Sequence, residues 1–116
     1  MNNTCFTICK ANQEQRDYVL ERFPKIKKEE RENAIIYVAV NELDNIIGRI
    51  LVIENDVPKP LFGKYWYIIN LFVHPKFRRM GIATELVNKI KSQAEQSEVL
   101  YLYGSANATV EASLFW

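Results

Sequence analysis

The 116-residue sequence predicts one α/β (α+β) domain with a mixed sheet flanked by helices, spanning residues 1–116. Three observations predict it. Apolar runs rich in β-branched residues alternate with stretches of helical periodicity, in the order β, α, β, β, β, α, β, α. The segment from 64 to 103 reads as strand, helix, strand, a right-handed crossover that sets its two strands parallel. The chain is 48% hydrophobic and 25% charged, the composition of a globular domain, and has no internal repeat or linker-like stretch.

Phe6–Lys10 alternates weakly and reads as a short strand. Asn12 offers a helix cap, with Gln15 three residues on as in a capping box. Tyr18, Val19, Phe23 and Ile26 follow at helical spacing, and Pro24 ends or restarts that helix. Lys25–Asn33 mixes charges of both signs and reads as a solvated helix face. Ala34–Val40 and Ile46–Ile53 are strands joined by a turn at Leu43-Asp44-Asn45, a hairpin pattern. Val57–Pro60 is a loop, because each Pro removes a ladder donor. Lys64–Val73 is apolar on both faces, as in a central strand covered on both sides. Ile82, Leu86, Val87, Ile90 and Ala94 mark the buried stripe of a helix opening at Gly81. Val99–Tyr103 is a further buried strand, and Asn107 caps a last helix carrying Val110, Leu114 and Phe115.

Composition excludes several classes. Fifteen Lys and Arg balance fourteen Asp and Glu, without the basic excess of a nucleic-acid-binding domain. No apolar run approaches the roughly 20 residues of a spanning helix, so no membrane partner is expected. The N-terminus lacks the basic and apolar regions of a secretory signal, which points to the cytoplasm. Cys5 and Cys9 read as reduced thiols. With a single His, a Cys/His zinc cluster cannot be assembled, and His74 reads as a turn residue.

The chemistry concentrates in Leu71–Thr84, where a buried strand ends at Val73-His74-Pro75, a basic loop follows and a helix opens at Gly81. The first turn of a helix has free amide hydrogens at its positive end and binds phosphate. Gly81 lets an oxygen approach the backbone, Ala83 keeps the next approach narrow, and Arg78 and Arg79 add mobile positive charge, with Lys76 at the rim. Neither the dinucleotide fingerprint nor a Walker loop is present.

Leu71-Phe72-Val73-His74-Pro75 followed by Arg78-Arg79-Met80-Gly81-Ile82-Ala83 resembles the pyrophosphate motif of the GNAT superfamily of acyl-CoA-dependent N-acetyltransferases. Tyr37–Val40 with Ile47-Gly48-Arg49-Ile50 resembles that family's central hairpin, and Asn107–Trp116 its following helix; the likeness covers residues 34–112. The resemblance implies a mixed, mostly antiparallel sheet that is short at its C-terminal end. It implies acetyl-CoA as donor and an amine of a small molecule or peptide as acceptor. The main chain of Leu71, Phe72 and Val73 would hold the pantetheine. The amides of Arg79, Met80, Gly81, Ile82, Ala83 and Thr84, beside Arg78, would hold the pyrophosphate. Asn107 would touch the pantetheine arm or a nearby water, cap its helix, or both. The N–H of Phe72 would donate to the developing oxyanion.

Three departures accompany the resemblance. The chain ends at Phe115-Trp116, where the family continues through two more strands; truncation or a partner chain covering the sheet edge, such as a homodimer, would account for it. Trp116 stands where the family places a thiolate-protonating Tyr, leaving Tyr103 and Tyr101 as alternatives. Ile69 stands where the family often has a Glu acting as general base, and Asn70 can order a water but takes no proton at neutral pH. The sequence therefore supports an N-acetyltransferase first. A non-catalytic CoA-binding module, or an inactive truncated homologue, is the alternative.

Overall fold

A computed structural model describes residues 5–55, 65–97, 99 and 101–104. The described elements run β1 (Phe6–Lys10), α1 (Gln13–Leu20), α2 (Lys28–Asn33), β2 (Ile35–Asn41), β3 (Ile46–Asn55), β4 (Tyr65–Val73), α3 (Ile82–Gln96) and β5 (Tyr101–Gly104). The strands form one sheet in sequence order, β1-β2-β3-β4-β5. The first four are antiparallel, and β5 joins β4 in parallel, as the crossover predicts. The expected 57–60 loop, the helix from Asn107 and Trp116 lie outside the described residues.

Local chemistry accounts for the elements. Asn12 Oδ1 accepts from Gln15 N–H while Gln15 Oε1 accepts from Asn12 N–H, the reciprocal capping box that starts α1. The β2–β3 turn is held by Asn41 Oδ1, which accepts from the N–H groups of Leu43 and Asn45, with Asp44 at φ 61°. Each face of the sheet buries its own cluster. Ile50, Val52, Trp66, Ile68, Leu71 and Val73 meet the Ile82, Leu86, Val87, Ile90 and Ala94 stripe of α3. On the other face Ile36, Val38 and Leu51 meet Val19 and Leu20 of α1. The central strands are thus covered on both sides, as their two-sided apolarity predicts.

Three expectations are revised. Helix α1 stops at Leu20, ahead of Pro24, because the amides of Arg22 and Phe23 turn back to the carbonyls of Val19 and Leu20 in tighter i→i−3 bonds. The charged 25–33 stretch does more than face solvent. Arg31 donates from Nε to Ile26 O, from Nη1 to Leu20 O and from Nη2 to Phe23 O, and Arg16 donates to Ala34 O and Arg31 O. Two guanidinium groups therefore satisfy the carbonyls that end α1 and tie the loop to α2. Strand β5 begins at Tyr101, since Val99 N–H is engaged by Ala94 O at the end of α3.

Candidate functional site

Two features of β4 set the site. The first is a bulge. Leu51 faces Asn70 but Val52 faces Ile68, so Ile69 is an extra residue in β4. The second is the limit of β5, whose pairing runs from Tyr65↔Tyr101 to Ile68↔Gly104 and stops there. Beyond the bulge, the outer edge of β4 from Ile69 to Val73 has no strand beside it among the described residues.

Ladder parity decides which groups point into that open edge. His74 N–H donates to Ile47 O at 2.8 Å, and Val73 faces Gly48. Antiparallel bonds alternate, so Phe72 exchanges its main-chain bonds with Arg49, and the groups of Leu71 and Val73 turn outward. The N–H of Phe72 is consequently directed to β3. Leu71 N–H is the donor that reaches the open edge, one residue from the position expected of an oxyanion donor.

The chain leaves β4 through a short 3₁₀ turn, Pro75–Phe77, capped by His74, whose Nδ1 accepts from Lys76 N–H. His74 is the turn residue the sequence predicts. Arg79 then takes φ 65° and Gly81 φ 82°, and α3 begins at Ile82. A left-handed residue followed by right-handed ones points successive amides into one concavity, a nest for anions. Among the described residues no acceptor takes the N–H groups of Arg79 through Thr84; the first bonded amide is that of Glu85, on Gly81 O. Among the described residues, a Cβ built on Gly81 would meet nothing within 4 Å, so there is open space beside this turn.

Arg78 differs from the mobile charge expected of it. Its Nε donates to Val73 O at 2.9 Å and its guanidinium lies 5.7 Å from the Phe72 ring, which fixes the loop against the end of β4. Lys76 and Arg79 are exposed beside the concavity. Gly48 explains why the α3 terminus reaches this place. A Cβ there would stand 3.0 Å from Ile82 Cγ2 and 3.4 Å from both Leu86 Cδ1 and Phe72 O, so a glycine lets the first turn of α3 pack this closely on the sheet without displacing its neighbours.

Arg49 is a residue the sequence reading passed over. Its Nε donates to Asn70 Oδ1 at 2.9 Å, and its guanidinium lies 4.7 Å from the Phe72 ring and 5.8 Å from that of Phe23. Burial, and next the nearby Arg22, lower its pKa, with Tyr18 opposing. The available signal was a lone charge inside the otherwise apolar stretch Ile46–Ile53 of β3. Asn70, with Oδ1 engaged, keeps only its amide N–H donors for a water. Tyr103 aligns with Tyr67 across the β4–β5 pairing. Asn107 lies outside the described residues.

A model of the acetyltransferase (GNAT) family matches residues 3–114. The chain belongs to the acetyltransferase (GNAT) family. Within it, a curated relative is similar over part of this sequence: a probable N-acetyltransferase, HLS1, of Arabidopsis thaliana, is 36% identical over 61 residues, 53% of this chain and 15% of that protein. The chain thus spans a small fraction of that relative's length. Among solved structures, a GNAT-family acetyltransferase from Staphylococcus aureus Mu50 superposes with a TM-score of 0.70 at 19% identity, covering 96% of this chain and 80% of that one. The aminoglycoside acetyltransferase meta-AAC0020 from an uncultured soil metagenomic sample gives 0.71 at 15% identity, covering 94% and 82%. At these identities the likeness is one of fold. It includes the open, mostly antiparallel sheet flanked by helices that the sequence predicts.

Proposed function

We propose that this GNAT-family chain transfers the acetyl group of acetyl-CoA to a primary amine of a small molecule or peptide. The observation that carries the reading is the run of amides from Arg79 to Thr84, without acceptors among the described residues, beside a strand whose outer edge is open. The residues present fit a CoA-sized ligand. The amides of the Gly81 nest, with Lys76 and Arg79 at the rim, suit a diphosphate. The outward N–H and C=O of Leu71 and the N–H of Val73, whose carbonyl is held by Arg78 Nε, suit an amide-bearing arm laid along the strand in the manner of an added strand.

Bound there, acetyl-CoA supplies a thioester open to attack by a neutral amine. The chain's own contribution is positional and electrostatic. Leu71 N–H donates to the acyl oxygen as negative charge grows on it; one preorganised donor of this kind lowers a barrier by about 3 kcal/mol. The α3 face of β4 is closed by Leu86 and Ile82, so the amine arrives from the α1–α2 face, where the Asn70 and Phe72 side chains flank Leu71. The Asn70 amide orients a water there that relays the amine's proton to bulk solvent, and the CoA thiolate released as the thioester C–S bond breaks takes a proton from solvent.

The test is thiol release from acetyl-CoA over a panel of amines, run beside calorimetry with CoA. Heat of binding with amine-dependent thiol release is the expected result. Binding without release from any amine would identify a CoA-binding module without activity, and no binding would overturn the reading.

A further inference from the structure

We propose that the acceptor amine carries an anionic group, a carboxylate or a phosphate, and that Arg49 recognises it; this rests on the transferase reading above. Arg49 sits on β3 directly opposite Phe72, and its Nε holds Asn70 Oδ1. Phe72 and Asn70 bracket Leu71, whose N–H faces the transfer edge. Arg49 therefore lies one side chain away from the reacting centre, on the face that α3 leaves uncovered.

Its geometry is that of a fixed anion receptor. The guanidinium is held near the Phe72 and Phe23 rings, and Phe23 is itself held through its carbonyl by Arg31. Only Nε has a partner among the described residues, so both Nη groups keep their forked donors. Among the described residues no fully buried side-chain nitrogen or oxygen lacks a hydrogen bond, so those donors reach solvent. Among the described residues, the charged and titratable groups felt by Arg49 are Arg22 and Tyr18, and no carboxylate is among them. Arg22 is occupied by Tyr18, through its carbonyl and the face of its ring at 3.9 Å. A half-buried guanidinium beside a second cation, with no acidic neighbour among the described residues, matches an oxyanion presented by a ligand. A polyamine or another cationic acceptor would meet repulsion at the same place.

The experiment measures dissociation constants on the CoA-saturated chain. The probes are glycine, β-alanine, phenylalanine and phosphoethanolamine, each against its neutral counterpart: glycinamide, β-alaninamide, phenylalaninamide and ethanolamine. At least one anionic member binds about tenfold more tightly than its counterpart. Arg49→Gln brings that ratio to within about twofold, while Arg49→Lys keeps an intermediate preference because it retains charge without the fork. The amino acids and phosphoethanolamine separate carboxylate from phosphate recognition. Equal or weaker binding of every anionic member overturns the proposal on the unaltered chain alone, and so does a preference that survives Arg49→Gln. CoA titration of the same preparation keeps the two readings apart. Binding of CoA without anion preference overturns only this inference, and no binding of CoA overturns both.

Discussion

Ile82 Cγ2 lies 3.0 Å from the point where a Cβ on Gly48 would stand. The contact joins the middle layer of the sheet to the first turn of α3. It fixes how far the free amides of that turn sit from the end of β4. Gly48→Ala inserts a methyl against a β-branched side chain and a main-chain carbonyl, neither of which gives easily. The expected cost is about 1–3 kcal/mol in chemical denaturation. CoA affinity falls as well, because α3 is pushed away from β4. Unchanged stability would show that the helix can move without penalty.

Gly81 has a different reason to be glycine. Its φ is 82° and space above it is open, so Gly81→Ala loses only backbone conformation, about 1 kcal/mol. Gly81→Asp carries similar strain and also places a carboxylate in the nest. It weakens CoA binding by about 2 kcal/mol beyond the alanine variant, as expected for juxtaposed like charges. Equal CoA affinity in the two variants would remove the diphosphate from this position.

Arg31→Lys is not conservative here. The guanidinium serves three main-chain carbonyls, of Ile26, Leu20 and Phe23, which one ammonium cannot reach together. A loss of about 2 kcal/mol is expected, in the range for hydrogen bonds to charged groups. Faster amide exchange in residues 20–26 should accompany it, since these bonds hold the loop.

Tyr37 supplies a pH signature. It is 7% exposed, and burial raises its pKa above the ordinary tyrosine value. The folded form binds the proton more tightly than the unfolded form. This contribution is present in full below the unfolded pKa of about 10 and is lost as pH rises from there through the folded value. Between pH 8 and 11.5, Tm should fall more steeply for the unaltered chain than for Tyr37→Phe, at the ~pH 10 onset set by the ordinary tyrosine pKa. Parallel slopes would contradict the burial argument.

Much of the fold is legible in the residues. Asn12 with Gln15 marks the start of α1, and the five-residue stripe from Ile82 to Ala94 marks the buried face of α3. Gly81 and the basic loop place the anion nest. The sequence could not show the bulge at Ile69, because both faces of β4 are apolar and periodicity carries no register there. Without the register, the donor at the open edge cannot be told from its neighbour, and Phe72 stands in for Leu71. Arg31 and Arg49 hide for another reason: a guanidinium's partners are main-chain carbonyls and side chains distant in sequence, and spacing does not report them.

The most direct measurement of the central claim is an amide-resolved NMR titration of the chain with CoA. The amides of Arg79 through Thr84 should shift most, joined by Leu71 and Val73 on the open edge of β4. Saturable binding that leaves these amides unmoved, or shifts instead the α1–α2 residues around Arg16 and Arg31, would contradict it.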